Sequence, residues 1–164
     1  MRIYTLGIGR RPGYEFSRLL IKFTIQILFD IRPTPPSAPV NSPSLYAKEK
    51  TDYSRPALEA LCSANRINYI YLGNELAPPA RNSIKTWLES EAVKRGLKII
   101  ASKVPTKVSC LLCSCYLPEH CHRLLIADAL AKQGIEVIHI LEEDRLWSPV
   151  DGKRTRDNGM RARG

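Results

Sequence analysis

No apolar run in this sequence is long enough to cross a membrane. The most apolar early stretch, residues 19–31, is interrupted by Lys22, Gln26 and Asp30, well short of the ~20 apolar residues that span a bilayer. No charged leader with a short apolar stretch and a small-residue cleavage site opens the chain, so no secretory signal is expected. Histidine is scarce, with 3 residues against 5 cysteines. An odd number of cysteines cannot close entirely into disulfides within one chain. There is no internal repeat. These absences argue against a membrane span, a secreted disulfide scaffold and a wholly disordered chain, and favour a soluble protein of a reducing compartment, the cytoplasm.

What is present is 164 residues, 44% hydrophobic and 25% charged, enough for one domain with a buried core. The 25 Lys and Arg against 16 Asp and Glu give a formal charge of +9. The excess divides into +6 over residues 1–150 and +3 over the last fourteen, where Lys153, Arg154, Arg156, Arg161 and Arg163 face Asp151 and Asp157. We expect a domain over residues 1–148 and a solvated, disordered basic tail over 149–164. An Arg-rich tail also suits nucleic acid, since it neutralises phosphates and releases counterions. It carries no aromatic residue for stacking on bases.

Along the chain, residues 2–6 read as a strand and Tyr14 to Phe23 as an amphipathic helix. Residues 25–31 read as a buried strand. Pro33, Pro35, Pro36, Pro39 and Pro43 then impose a long loop. Helices are expected over 55–65, over 82–95 with Asn82 or Ser83 as cap and Gly96 at its end, and over 118–132, while Lys98 to Ser102 either extend the second helix or form a short strand. Strands are expected over 67–72, 107–113 and 136–141. Strands alternating with helices imply parallel pairing. The fold class is therefore α/β, a three-layer α/β/α sandwich with a mostly parallel sheet of about five strands.

In such sheets ligands bind beyond the carboxyl ends of the strands. There the sequence places Gly7, Gly9, Arg10 and Arg11, then Asp30 and Arg32, then Asn74, and last Cys113 with the helix carrying His122 and Arg123. Gly7-x-Gly9 lacks the third glycine of a dinucleotide fingerprint. A glycine turn followed by two arginines still suits an anion; a tight turn with solvated arginines is the alternative. Asp30 ends an apolar strand and needs a partner, and Arg32, two residues on, is on the same side. The pair is either structural or holds a carboxylate in place as base or orienter.

The densest chemical feature runs from Cys110 through Cys113, Cys115 and Cys121 to His122 and Arg123. A metal site is one reading, but the spacing C-x-C-x5-C-H is not a standard zinc pattern, and no metal or other cofactor is assigned. A second is a reactive thiolate at Cys113 or Cys115, favoured by a helix N-terminus and Arg123. Cys110 and Cys121 read as apolar packing. A tyrosine-phosphatase loop is excluded, because six residues after Cys113 and Cys115 stand Glu119 and Cys121 instead of arginine.

Leu111-Leu-Cys113, Cys121-His122-Arg123 opening a helix, and Gly134 to Ile140 together resemble the C-terminal signature of the domain of unknown function 488 family. Tyr4-Thr-Leu-Gly7, Glu15-Phe16 and Asp30-Ile-Arg32 fit it as well, and the Gly7-x-Gly9-Arg10-Arg11-Pro12 turn, Tyr46 to Lys48 and Leu72-Gly73-Asn74 resemble one branch. The resemblance covers residues 1 to about 141 and implies a compact cytoplasmic α/β domain without a known cofactor. It implies no activity. The chain departs from the pattern at Cys115, where the signature carries a glutamate, at Ile8 and in the length of the Pro-rich loop. Three functions are weighed. One is a small enzyme acting on an anionic, nucleotide-like or phosphorylated substrate. Arg10, Arg11 and Arg32 would hold the anion, aided by Gly7, Gly9, Asn74 and Arg123, with Asp30, Cys113 and His122 catalytic. The others are a nucleic-acid-binding accessory protein using its tail, and a Cys-rich metal-binding module.

Overall fold

A computed structural model describes residues 1–33, 51–79, 83–148 and 154–156. The proline-rich loop beyond Pro33, the Tyr46 to Lys48 motif, Asn82 and most of the basic tail lie outside the described residues.

The chain order is β1 (Arg2–Gly7), α1 (Gly13–Lys22), β2 (Ile27–Asp30), α2 (Arg55–Ala64), β3 (Asn68–Tyr71), α3 (Gly73–Leu76), α4 (Ile84–Leu88), α5 (Glu91–Lys103), β4 (Ser109–Cys113), a 3-10 turn (Pro118–His120), α6 (His122–Lys132), β5 (Glu136–Glu142), β6 (Arg145–Trp147) and β7 (Arg154–Arg156). The sheet order is β3-β2-β4-β1-β5-β6-β7. The first five of these pair in parallel, and β6 and β7 extend the edge antiparallel.

The layers follow from alternation along the strands. Leu6, Leu28, Cys110 and Leu112 face one side, where Phe16, Leu19 and Leu20 of α1 and Leu58 and Cys62 of α2 cover them. Ile3, Ile27, Phe29, Leu111 and Cys113 face the other, against Leu76, Trp87, Val93, Leu97, Ile100, Ile126 and Leu130 of the remaining helices. The three-layer sandwich expected from the alternation of strands and helices is the fold.

Two expectations are corrected. The helix expected over 82–95 is two helices: Ser83 caps α4, the chain turns at Glu89, and Ser90 caps α5. Gly96 therefore lies inside α5 and not at its end. It fits there because Leu76 of α3 packs where a Cβ would stand, 2.7 Å away. The helix expected from Pro118 begins at His122, after a 3-10 turn, with Cys121 as its N-cap. The antiparallel strands β6 and β7 were not foreseen, and the boundary expected after residue 148 falls between them.

The chain leaves β1 through α1 toward β2, and leaves β4 through α6 toward β5, in opposite directions along the sheet. Yet β1 and β4 are neighbours, and their last residues, Gly7 and Cys113, are register partners. β4 also lies beside β2, whose connection through α2 leads away to β3, so the connections part at the end of β4, the switch point at which open α/β sheets open a crevice.

A thiol cluster at the carboxyl edge of the sheet

Past Cys113 the chain stays beside β1: the Ile8 N–H donates to the Cys113 carbonyl at 2.8 Å and the Gly9 N–H to the Ser114 carbonyl at 2.9 Å. Gly9 has φ +52°, which glycine adopts freely, and a Cβ there would lie 2.7 Å from Tyr116 Cβ. Gly7 is glycine for want of space. A Cβ on it would lie 1.8 Å from the Cys115 carbonyl oxygen and 2.4 Å from Arg123 Nη1.

Arg123 is the largest fully buried side chain among the described residues. Its Nη1 donates to the Cys115 carbonyl at 2.5 Å and its Nη2 to the Tyr116 carbonyl at 2.7 Å, which fixes the loop after β4. Its Nε has no partner among the described residues. No carboxylate forms an ion pair with it among them. The groups that favour its charge are thiols, Cys121, Cys113, Cys110 and Cys115, while His139 is lowered by it. Burial draws the guanidinium below its ordinary range, and the thiols oppose this. A buried cation needs a compensating anion, and here a thiolate is what the surroundings offer.

Cys113 is the thiol best placed to ionise. The Cys121 S–H donates to Cys113 Sγ at 3.0 Å. This hydrogen bond, with a backbone N–H from Cys115 and the charge of Arg123, draws the Cys113 thiol below the ordinary range despite its burial. Donating that bond, and being buried, pushes Cys121 up to about 12. Burial and the Cys121 sulfur raise Cys115 as well. Cys121 is held as N-cap of α6, its sulfur accepting the Arg123 N–H at 3.5 Å.

His122 closes the cluster. Its Nε2 lies 2.9 Å from the Ile31 carbonyl oxygen, which can only accept, so Nε2 carries the proton. In the neutral ring Nδ1 is then a lone-pair nitrogen, 3.7 Å from Cys113 Sγ. The ring packs edge-on against Trp87, centroids 6.2 Å apart. The donor atoms of Cys113, Cys121 and His122 lie within 4.8 Å of one another, so the three would fit a soft metal ion as well as a proton relay.

The other residues singled out from the sequence are placed differently. Asp30, fully buried, accepts from Arg32 Nε at 2.9 Å, Arg32 Nη2 at 2.8 Å and the Tyr69 hydroxyl at 2.6 Å. The remaining Arg32 nitrogen donates to the Tyr53 carbonyl at 2.8 Å. Each of the three guanidinium nitrogens of Arg32 thus has a partner within the protein. Arg11 is likewise buried. Its Nε donates to the Gly7 carbonyl at 2.8 Å, its Nη1 to Glu15 at 2.7 Å, and its Nη2 to the Leu141 carbonyl. Arg10 and Asn74 are exposed. Arg10 borders a recess of about 510 Å³ with Gly9, Arg11, Glu15, Tyr116 and Glu142. The structure therefore brings Gly7, Cys113, His122 and Arg123 together, and leaves Asp30 with Arg32, and Asn74, outside that cluster.

Cys121 packs in the core, as its reading as an apolar residue expects, and is in addition the hydrogen-bond donor to Cys113. Its position as the residue opening a helix is the available signal. Arg123, read from the sequence both as a ligand holder and as a charge favouring a thiolate, has its two terminal nitrogens on the Cys115 and Tyr116 carbonyls.

The family model of a domain of unknown function, DUF488, matches residues 14–130, and the chain belongs to that family. No curated protein and no solved structure matches it.

Proposed function

We propose that this member of the DUF488 family is an enzyme whose reacting group is the Cys113 thiolate, at the switch point of the sheet. The observation that carries this reading is the buried Arg123 guanidinium, ringed by thiols and paired with no carboxylate among the described residues. Cys121 supports the anion through its S–H, and His122 Nδ1 stands ready to accept the proton. The substrate would approach along the carboxyl edge, where Cys115 and His122 are half-buried and the Arg10 recess opens beside the same loop. Among the described arginines of this edge, Arg10 is the exposed one that could meet an anionic substrate, since each guanidinium nitrogen of Arg11 and Arg32 already has an internal partner. Five free cysteines suit a reducing compartment, and the cytoplasm is the location this reading takes.

Alkylation of the five cysteines by iodoacetamide, mapped by peptide mass spectrometry against pH, tests it. Cys113 is expected to react at lower pH in the folded protein than in the denatured one. Equal behaviour in both states would refute the proposal.

A metal-binding reading is favoured by one observation, the closeness of the three donor atoms. Elemental analysis after purification without chelators decides it: a stoichiometric soft metal would displace the thiolate reading.

A further inference from the structure

The pairing of two thiols in the cluster carries more than a lowered acidity. Cys113 and Cys121 lie on different elements, a strand end and a helix cap, with their sulfur atoms 3.0 Å apart. A disulfide needs about 2.05 Å, so a shift of about 1 Å would join them. Cys113 is only 2% exposed and Cys121 8%, so whatever reacts there must be small. Bulky disulfides and macromolecular substrates are disfavoured by this burial. A hydroperoxide is small and uncharged, and it reacts with thiolates. The buried Arg123 cation beside the thiols would favour the oxyanion that leaves.

We infer that Cys113 and Cys121 form a peroxide-reducing dithiol, Cys113 reacting first with a small hydroperoxide and Cys121 resolving the product as a disulfide. The inference rests on the thiolate reading above and names its substrate. The Cys113 sulfur attacks the outer peroxide oxygen, the O–O bond breaks, and the departing alkoxide or hydroxide takes a proton to leave as an alcohol or water. Cys113 is now a sulfenic acid. The Cys121 sulfur attacks it, the S–O bond breaks, and the released hydroxide takes the Cys121 proton to leave as water. Two thiols have been oxidised and one peroxide reduced. A thiol reductant restores the pair.

Cys115 is the competitor for the resolving step, since its thiol interacts with both Cys113 and Cys121. The directly bonded 3.0 Å contact selects Cys121.

The test treats the reduced, folded protein with one equivalent of hydrogen peroxide and maps the cross-link by mass spectrometry. A Cys113–Cys121 disulfide is expected. In Cys121→Ser, Cys113 should persist as a sulfenic acid trapped by a 1,3-dione. In Cys113→Ser, peroxide consumption should fall by at least about tenfold, while Cys115→Ser should still close the pair. A disulfide joining Cys113 to Cys115, or five thiols left reduced, overturns the inference. Iodoacetamide separates the two failures. If Cys113 alkylates readily below the pH of an unfolded thiol yet resists peroxide, the peroxide inference falls and the thiolate reading stands. If it does not, both fall.

Discussion

Arg123 and Gly7 are mutually dependent residues. The guanidinium occupies the space that any β-carbon on Gly7 would need, and it holds the two carbonyls that bring the loop after β4 alongside β1. Gly7→Ala is therefore expected to displace that loop and to destabilise the fold by about 3 kcal/mol, at the upper end of overpacking costs. Thermal or denaturant unfolding reads this directly. Arg123→Met keeps the length but leaves two part-buried carbonyls without their donor, each costing about 1 kcal/mol. It also removes the cation, so Cys113 should alkylate at higher pH than in the wild type. Asp30→Asn keeps the shape of a buried acceptor but leaves the Arg32 charge uncompensated, and should cost about 3–5 kcal/mol. Nothing in this last change should touch Cys113, whose reaction with iodoacetamide serves as the control.

At the level of elements, α5 shows how tertiary packing decides a helix. The sequence of residues 82–95 has the periodicity of one helix, and Gly96 follows where helices commonly end. The two serine caps, Ser83 and Ser90, instead start two helices, and α5 runs on through Gly96. The reason is a contact remote in sequence, the close approach of Leu76 to Gly96, which no local pattern announces. Gly96→Ala should gain about 1 kcal/mol of helix propensity and lose about 1–3 kcal/mol to the clash with Leu76. A net loss of about 1 kcal/mol is the outcome expected in urea titration. The helix after β4 teaches the complementary lesson. Its existence was legible from its apolar pattern, Lys132 and Gly134, while its start was not, because Pro118 resembles a first-turn proline and in fact opens a separate 3-10 turn. That turn is what allows Cys121 to cap the helix and reach Cys113.

At the scale of the whole molecule, the layer order and the five parallel strands were legible, since both follow from alternation of element types. The candidate site was legible as an edge, from the rule that strand ends bind ligands, but not as a cluster. Asp30, Arg11 and Arg32 carry the residue types of a site, and only three-dimensional pairing shows that they are hydrogen-bonded within the fold, Asp30 to Arg32 and Tyr69, Arg11 to Glu15, and both arginines to backbone carbonyls. One buried group links global stability to pH. His139 accepts or donates a 2.6 Å bond with Thr5, stacks on Trp147 and has an unpartnered Nε2. Burial first, and Arg123 second, lower it to about 3, against a smaller opposing effect of Glu119. It is thus neutral in the fold at pH values where the unfolded chain binds a proton. Stability should fall as pH drops from about 6.5 toward 3 by up to about 1.4 kcal/mol per unit, and level off below. His139→Phe should flatten this slope in urea titrations at successive pH values.

The Arg123 charge that adds to burial in lowering His139 also adds to the Cys121 hydrogen bond in lowering Cys113. The rate of Cys113 alkylation by iodoacetamide against pH, in folded and denatured wild-type protein, tests that claim most directly. The folded midpoint is expected to lie below the denatured one, and Arg123→Met to narrow the gap, the Cys121 hydrogen bond remaining. A folded midpoint at or above the denatured value would contradict it.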